Sequence, residues 1–397
     1  MENFNSTLFL TINNNNFSFM VGNKDSRDKI ILLYKNTSKI KGYVDQELIN
    51  IDEAIADLKK NIYSIEQKLK LNFNHVVLIL NNDKFTQLNL SGFKKLNGSQ
   101  LSKENISYIL SSLKSSINEC EKDKTILHIF NPNYLLDKKK MNNLPIGLFG
   151  DLYSQEISCF LINTNYFKNL NNLFFKCNLK IKKIFLKSFI DGVNIIKNRK
   201  IETFFKLIIG YKSSNLIYFE NSALKYCKKF KFGSDIIIKD IAKVTSLSEE
   251  EIKKIISMSE INNKSSDQEL IEKDHFKNLN YRKIKKKFLL EIANARIKEC
   301  SDIIMTNNLS IKNFLQPSIP ILLKVKDKVS YTCFKESFDL YYFANKSQMR
   351  IDEGEKSDEN TINDAYHIVH YGWKKEAVPF IHTKKSLLAR FFDLLFT

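Results

Sequence analysis

The sequence predicts an α/β protein that uses one plan twice, three short strands followed by a helix. Three observations carry that expectation. In the first half, Thr7–Ile12 and Phe17–Val21 are β-type runs on either side of the turn Asn13–Asn16, and Lys29–Tyr34 follows. Asp45–Leu71 then spaces Ile51, Ile55, Leu58, Ile62 and Ile65 as one helical face, and Val76–Leu80 is a continuous apolar run of strand length. In the second half the order returns as Phe204–Ile209, the turn Gly210–Ser214, Asn215–Phe219, Leu224–Phe230 and a helix over Asp235–Val244. Finally, the chain can fill such cores: 43% of its 397 residues are hydrophobic, with 30 Phe and 16 Tyr, and the length suits about two to four domains.

Between the halves lies a compact α/β segment. It runs from the turn-rich stretch Asn81–Asn97 through a helix over Ser102–Cys120 to strands at Thr125–Phe130 and Leu152–Ile162. Further on, Ser246–Ile261 reads as a helix in which Ser248 and Glu251 have capping-box spacing. Lys285–Ile304 reads as a longer helix, Asp352–Asn363 as an acidic surface loop, and Pro379 falls in a linker before the last segment.

The formal charge is +18, from 62 Lys and Arg against 44 Asp and Glu. Lysine, isoleucine and asparagine are abundant throughout, as in Lys138–Lys140 and Lys285–Lys287, so the excess reads as a bias of the whole chain. It favours anionic partners in general, but no nucleic-acid motif accompanies it and no nucleic acid is expected. Six isolated cysteines without a CxxC pair exclude a zinc ribbon or a disulfide framework and point to a reducing compartment. The start, Met1-Glu2-Asn3-Phe4-Asn5, has no charged region leading into an apolar run, and no stretch is apolar enough to span a bilayer. His367, His370 and His382 lack a Cys, Asp or Glu at ligand spacing, so no metal site is expected. No Ser-His-Asp order, P-loop or dinucleotide fingerprint is present.

The last twelve residues carry the clearest local signal. At about 100° per residue, Ser386, Arg390, Asp393 and Thr397 share one arc of roughly 60°, while leucine and phenylalanine fill most of the circumference. Such a helix is too short to cross a membrane and shaped to lie on one. Leu387, Leu388, Phe391, Phe392, Leu394, Leu395 and Phe396 would be immersed, with Lys384, Lys385 and Arg390 at the level of anionic lipid phosphates. Burial of these side chains at ~1.5–3 kcal/mol each, reduced by partial immersion and ordering, predicts reversible anchoring.

Two hairpin-plus-helix units across a cleft are also the plan of the actin-like superfold, and specific residues narrow the likeness. Ile126-Leu127-His128-Ile129-Phe130-Asn131-Pro132-Asn133-Tyr134-Leu135-Leu136-Asp137 is similar to a His-x-x-Pro-x-x-Tyr-x-x-Asp stretch of the FtsA family, with one extra position or a shifted proline. Pro145-Ile146-Gly147-Leu148-Phe149-Gly150 resembles that family's Pro-x-Gly-Met-x-Gly. Gly233, Asp240-Ile241-Ala242 and Glu250-Glu251-Ile252-Lys253 resemble its Gly-Gly, Asp-Ile-Ala and Ala-Glu-x-Ile-Lys block. Arg296 and Glu299 match an Arg-x-x-Glu helix. The matches run in order from about Leu8 to Thr397.

The resemblance implies an actin-like (ribonuclease H-like, duplicated) fold with an inserted small α/β subdomain in place of actin's usual one. By that pattern, subdomain 1A comprises 1–82, 163–200 and a return at 356–375, with the insertion 1C at 83–162. Subdomain 2A comprises 201–232 and 306–355, with 2B at 233–305, then a linker at 376–385 and the membrane-targeting helix at 386–397. It implies a peripheral membrane protein on the cytoplasmic face of the inner membrane at the division site. Such a protein tethers FtsZ filaments by their C-terminal peptide, self-associates and recruits later divisome proteins. Arg296, with Glu299, is the position carried over for the FtsZ tail, since a guanidinium can pair bidentately with a carboxylate.

The nucleotide loops depart from the family. Where it has Asp-x-Gly-Thr, this chain has Thr11-Ile12-Asn13-Asn14. Where it has Asp-x-Gly-Gly-Gly-Thr-Thr-Asp, this chain has Ile208-Ile209-Gly210-Tyr211-Lys212-Ser213-Ser214-Asn215. The late glycine pair for adenosine falls at Ile319–Lys324, which has no glycine. Gly210, Lys212, Ser213, Ser214, Gly233, Glu250 and Lys253 remain as a degenerate nucleotide set. Without either loop aspartate no magnesium ligand is evident, so ATP hydrolysis is not expected and ATP is only a possible ligand. The rival readings are an ATPase or sugar kinase of the same superfold, and an actin-like assembly protein of a pilus or secretion system.

Overall fold

The structure is a computed structural model that describes residues 6–13, 16–25, 30–81, 84–258, 269–273, 276, 281–343 and 358–377. The terminal helix expected at 386–397, with Lys384, Lys385 and the linker proline, lies outside the described residues. The chain divides into two compact units: Met1–Glu202 with Asn221–Lys225 and Lys356–Thr397, and Thr203–Glu220 with Tyr226–Glu355.

In the first unit, β1 (Ser6–Asn13), β2 (Asn16–Lys24) and β3 (Ile30–Lys39) form an antiparallel meander. A small hairpin of β4 (Tyr43–Val44) and β5 (Glu47–Leu48) leads into α1 (Ile51–Leu69), which crosses over to β6 (His75–Asn81), parallel to β1. Leu8, Phe9 and Leu10 of β1 and Val76–Ile79 of β6 are fully buried on both faces, which is what makes these runs continuously apolar. Helix α1 begins at Ile51, later than the spacing predicted. Residues 43–48 pair as a hairpin, and the Asn50 side chain accepts from the amides of Asp52 and Glu53 to start the helix.

After β6 the chain builds a second sheet from β7 (Thr86–Lys95), α2 (Lys103–Cys120), β8 (Lys124–Leu136), β9 (Lys139–Met141) and β10 (Leu152–Asn163). It returns through α3 (Thr164–Lys176) to β11 (Lys180–Leu186), parallel to β6, and then α4 (Lys187–Arg199). The main sheet therefore has the order β11-β6-β1-β2-β3. Strand β7 was expected to be turn-rich loop. Among the described residues it is an edge strand paired with β10 alone, so Asn89, Ser91 and Lys95 face out while Leu88 and Leu90 pack under α2, and this alternation mimics loop composition. Strand β8 runs through Pro132: Phe130 and Asn133 stand opposite Ser158 and Glu156, so a bulge absorbs the extra residue at Asn131–Pro132 that the motif comparison exposed.

The second unit repeats the plan. Strands β12 (Phe204–Ile209), β13 (Ser214–Glu220) and β14 (Ala223–Phe230) form a meander. Helices α5 (Asp235–Thr245), α6 (Glu249–Met258) and α7 (Lys286–Ser301) follow, and β15 (Ile321–Val325) then pairs parallel to β12. Helices α8 (Lys328–Cys333) and α9 (Lys335–Phe343) end the described part of this unit. The order β14-β13-β12-β15 matches β3-β2-β1-β6 of the other sheet, without a counterpart to β11. Two copies of this mixed sheet, with an α/β insertion after the fourth strand of the first, constitute an actin-like fold. The capping box forms as expected, with Ser248 Oγ accepting from the Glu251 amide and Glu251 accepting from the Ser248 amide. The long helix expected to Ile304 ends at Ser301 and continues as a π-helical turn, Asp302–Thr306. Of the acidic stretch expected as loop at Asp352–Asn363, residues 352–357 lie outside the described residues and 358–363 open helix α10 (Asp358–Tyr371), back in the first unit. Asp358 and Glu359 suit its first turn, and Thr361 and Ile362 are buried.

A last short strand, β16 (Glu376–Ala377), pairs with β8. It delivers Glu376 to a buried cluster that ties the inserted sheet to the main one. His128 of β8 sets its Nδ1 2.7 Å from one Glu376 oxygen, and its Nε2 accepts from the Leu186 amide at 3.2 Å. An acceptor at Nε2 assigns the ring proton to Nδ1. Lys183 Nζ lies 3.1 Å from the other Glu376 oxygen, and Phe130, Phe160, Phe185 and Phe189 stack around the group. Burial disfavours the Glu376 charge, but the hydrogen bond from His128 and the ammonium of Lys183 outweigh it and hold the carboxyl below its ordinary value of 4.5. A depressed carboxyl stabilises the fold above its unfolded pKa and loses that contribution as pH falls through the folded value. Glu376→Gln should destabilise the first unit by about 3 kcal/mol at neutral pH, because it leaves Lys183 without its counter-charge. Thermal unfolding followed from pH 7 to 3 should show the wild-type advantage shrinking below about pH 4.5.

Candidate functional site

In open α/β sheets ligands meet the carboxyl ends of parallel strands. In the second unit that edge is formed by β12 and β15, with the Lys326 amide donating to the Ile209 carbonyl. The loop after β12 turns tightly, Gly210 N–H donating to Ser213 O at 2.9 Å. Gly233 passes directly beneath: a Cβ there would sit 2.2 Å from the Gly210 oxygen and 2.4 Å from the Tyr211 oxygen, so this close approach requires glycine. The contact lets the first amides of α5 reach the loop, Ser234 N–H donating to Gly210 O at 2.9 Å and Asp235 N–H to Tyr211 O at 3.0 Å. Helix N-terminal amides are the groups that bind phosphate in a nucleotide cradle. Here two of them are spent on the protein's own carbonyls.

The side chains follow the same pattern. Ser214 is buried and its hydroxyl donates to Phe232 O at 2.9 Å, so it is turned away from any ligand. Lys212 is exposed and Ser213 is half-buried. Beside the loop lies an open pocket of about 370 Å³ whose walls include Tyr211, Ile238, Lys253, Lys254, Asp327 and Ser330. The Lys253 ammonium stands 5.0 Å from the Tyr211 ring centroid, and its pKa is raised, first through its bond to that tyrosine. Asp327 is the carboxylate on the wall, and it already caps α8. It accepts from the Ser330 amide at 3.3 Å, the Ser330 hydroxyl at 2.7 Å and the Ser234 hydroxyl at 3.2 Å.

Of the residues expected at a nucleotide site, the fold therefore gathers Gly210, Lys212, Ser213, Ser214, Gly233 and Lys253 around one loop. Glu250 is exposed on α6 and does not line the pocket. Ile319–Lys324, expected as the adenosine loop, is mostly strand β15, and the loop that reaches the pocket is Lys326–Asp327. The expectation slipped because an apolar run after a proline contains no marker of where the strand ends. Asp327 and Ser330 had a readable signal in their N-cap spacing, whereas Tyr211 and Lys254 had none. In the first unit, Thr11, Ile12 and Asn13 belong to β1, the Asn13 side-chain oxygen accepts from Asn81 at 2.6 Å, and Asn14 lies outside the described residues.

Arg296 and Glu299 lie on α7. The Arg296 guanidinium pairs through Nε with Asp240 of α5 and through Nη1 with Glu299 at 2.6 Å. About 31% of its side chain remains exposed, so an incoming carboxylate would exchange with these partners. No cluster of three His, Cys, Asp or Glu side chains able to hold a metal occurs among the described residues.

No protein-family description and no curated protein matches the sequence. Among solved structures, the chain is similar to the PilM–PilN type IV pilus biogenesis complex, at 10% identity over 93% of this chain and 97% of that one, with a TM-score of 0.47. It is also similar to the ethanolamine utilization protein EutJ from Carboxydothermus hydrogenoformans, at 10% identity, 87% and 84% coverage and a TM-score of 0.38. A ROK-family transcriptional regulator homologous to the MLC protein of E. coli matches at 8% identity, 91% and 76% coverage and a TM-score of 0.43.

Proposed function

We propose that this chain is a non-hydrolysing actin-fold adaptor of the FtsA type, which grips the C-terminal peptide of FtsZ filaments and rides on the cytoplasmic membrane through residues 386–397. The observation that carries the non-catalytic half is the occupied start of α5. Gly210 and Tyr211 carbonyls take its amides, and the pocket carboxylate Asp327 is held by three donors. A phosphoryl-transfer site needs free donors and a metal-binding acid aimed at the phosphates. The adaptor half rests on the ordered FtsA-like residues, the Arg296 position and the two-sided terminal segment. Self-association and recruitment of later division proteins belong to the same reading.

A second reading, assembly protein of a pilus or secretion system, is favoured by one feature of the insertion. Phe93 on edge strand β7 and Phe149 before β10 are 66% and 68% exposed. Phe93 stands on the edge strand of the insertion, the setting in which short peptides add to sheets.

Four measurements test the proposal. Incubation of the full chain with ATP and magnesium should release no phosphate above the blank, and calorimetry should give no micromolar dissociation constant for ATP. The C-terminal peptide of FtsZ should bind, and Arg296→Ala should weaken it about tenfold, or ~1.4 kcal/mol; binding instead of a pilus-type peptide would favour the second reading. Vesicles containing phosphatidylglycerol should pellet the full chain but not one ending at Thr383, and equal pelleting would remove the anchor.

A further inference from the structure

The inserted sheet ends in an unfinished corner. Strand β7 is its last strand and, among the described residues, pairs with β10 alone. Alternate residues of a strand point to opposite faces. On one face of β7, Asn89, Ser91, Phe93 and Lys95 are exposed, Phe93 at 66%. On the other face α2 lies close. A Cβ at Gly92 would stand 2.3 Å from Ile109 Cγ2 and 2.9 Å from Leu113 Cδ1, so the missing side chain at Gly92 admits the helix. The cluster beneath the helix is buried, with Ile117, Ile157 and Leu161 at its centre. Toward the edge the cover stops short: Leu88 and Leu90 of β7 and Leu110 and Leu113 of α2 all remain half-buried. Apolar side chains left part-wet along the outer strand of a sheet would gain burial from one more strand.

The charge along this strand has one sign. Thr86–Lys95 contains two lysines and no acid. Lys94 holds its ammonium 4.3 Å from the ring centroid of Tyr108, an exposed tyrosine of α2. Lys95 follows on the exposed face. Glu156, the acid opposite Ser91 on β10, is already bonded to Lys225 and Asn133. The lysines thus mark one end of the edge, and the +18 of the whole chain adds a long-range preference for an anionic partner over a second copy of the same chain.

We propose that β7 is the docking edge for an acidic extended segment of a partner protein, which joins the inserted sheet as its next strand. Every pairing in that sheet is antiparallel, so the added strand runs antiparallel to β7. Its amino-terminal end then lies beside Lys94 and Lys95, and acids belong there. The residues that follow alternate, apolar side chains turning toward Leu88, Leu90, Leu110 and Leu113 and polar ones toward the face of Asn89 and Ser91. Main-chain hydrogen bonds supply affinity, and the alternate contacts supply selectivity. This inference rests on the edge-strand feature of the second reading and gives its partner a chemistry. It uses neither Arg296 nor the terminal segment.

The test is fluorescence anisotropy of the full chain with a labelled peptide made of a pair of acids followed by alternating valine and threonine. Companion peptides replace the acids by lysines, or carry N-methyl groups on alternate amides in either of the two frames. An added strand bonds through every second amide. Methylation in one frame should therefore weaken binding about tenfold or more, while the other frame leaves it unchanged. A variant combining Lys94→Glu and Lys95→Glu should reverse the preference, binding the lysine peptide and losing the acidic one. Both results support the docking edge. No saturable binding, equal binding of the acidic and lysine peptides, or the same response to methylation in both frames overturns it. Dimerisation of the chain, seen by analytical ultracentrifugation and abolished by N-methylation-insensitive edge changes such as Phe93→Lys, with no peptide binding, overturns it in favour of a second copy. A pilus-type peptide that binds but ignores both methylation frames and the lysine variant keeps the second reading and removes this site. Should the lysine variant fail to fold by circular dichroism, the two methylation frames decide, since they leave the protein untouched.

Discussion

The first turn of a helix presents backbone N–H groups that must find acceptors, and what accepts them decides what the site beside them can do. At α5 two of these groups are met by the carbonyls of Gly210 and Tyr211, an approach that only a glycine at position 233 permits. The same loop turns Ser214 inward and the same helix start sends the Ser234 hydroxyl to Asp327. Each bond removes a group from the inventory a nucleotide would use. The loop is thus a structural joint between β12, α5 and α8.

The insertion has its own joint. An antiparallel sheet added to the side of a mixed one gains from a directional contact that fixes its angle beside the non-directional apolar packing. Phe130, Phe160, Phe185 and Phe189 supply the packing, while His128 and Glu376 supply direction: one ring nitrogen takes the Leu186 amide of the main sheet, the other reaches a carboxylate on the strand that closes the inserted sheet. Glu376 lies immediately before the residues from which the terminal segment departs. Tension on that segment would therefore act on a strand held by a buried ion pair and a hydrogen-bonded imidazole, interactions that resist separation because each group left behind would be buried without a partner.

The elements legible in the sequence were those whose burial is uniform. Runs such as Leu8–Leu10 and Val76–Ile79 are covered on both faces, so composition alone marks them. The spacing of Ser248 and Glu251 was legible because a cap is a local event. Strand β7 and the start of α10 were not, since an edge strand with one wet face and an acidic helix start share the residues of loops. At the site, Gly210, Gly233 and Lys253 were found through the family pattern, but Asp327 was not, because its place depends on where β15 ends, and that is set by pairing with β12. Arg296 was legible as an arginine on a helix; its engagement with Asp240 on a different helix was not.

Neighbouring lysines show why net charge could not locate function. Lys182 and Lys183 are adjacent and chemically identical in the sequence, and both add to the same +18. The slip in register at β11 separates their fates. Lys183 turns to Glu376, where its ammonium holds the insertion in place, while Lys182 stays exposed beside a hollow that His75 and His370 also border. The first is compensated by a partner within the fold, and the second is left at the surface. Register decides which lysine is drawn into the fold and which stays at its surface, and in a chain rich in lysine throughout that distinction exists only in three dimensions.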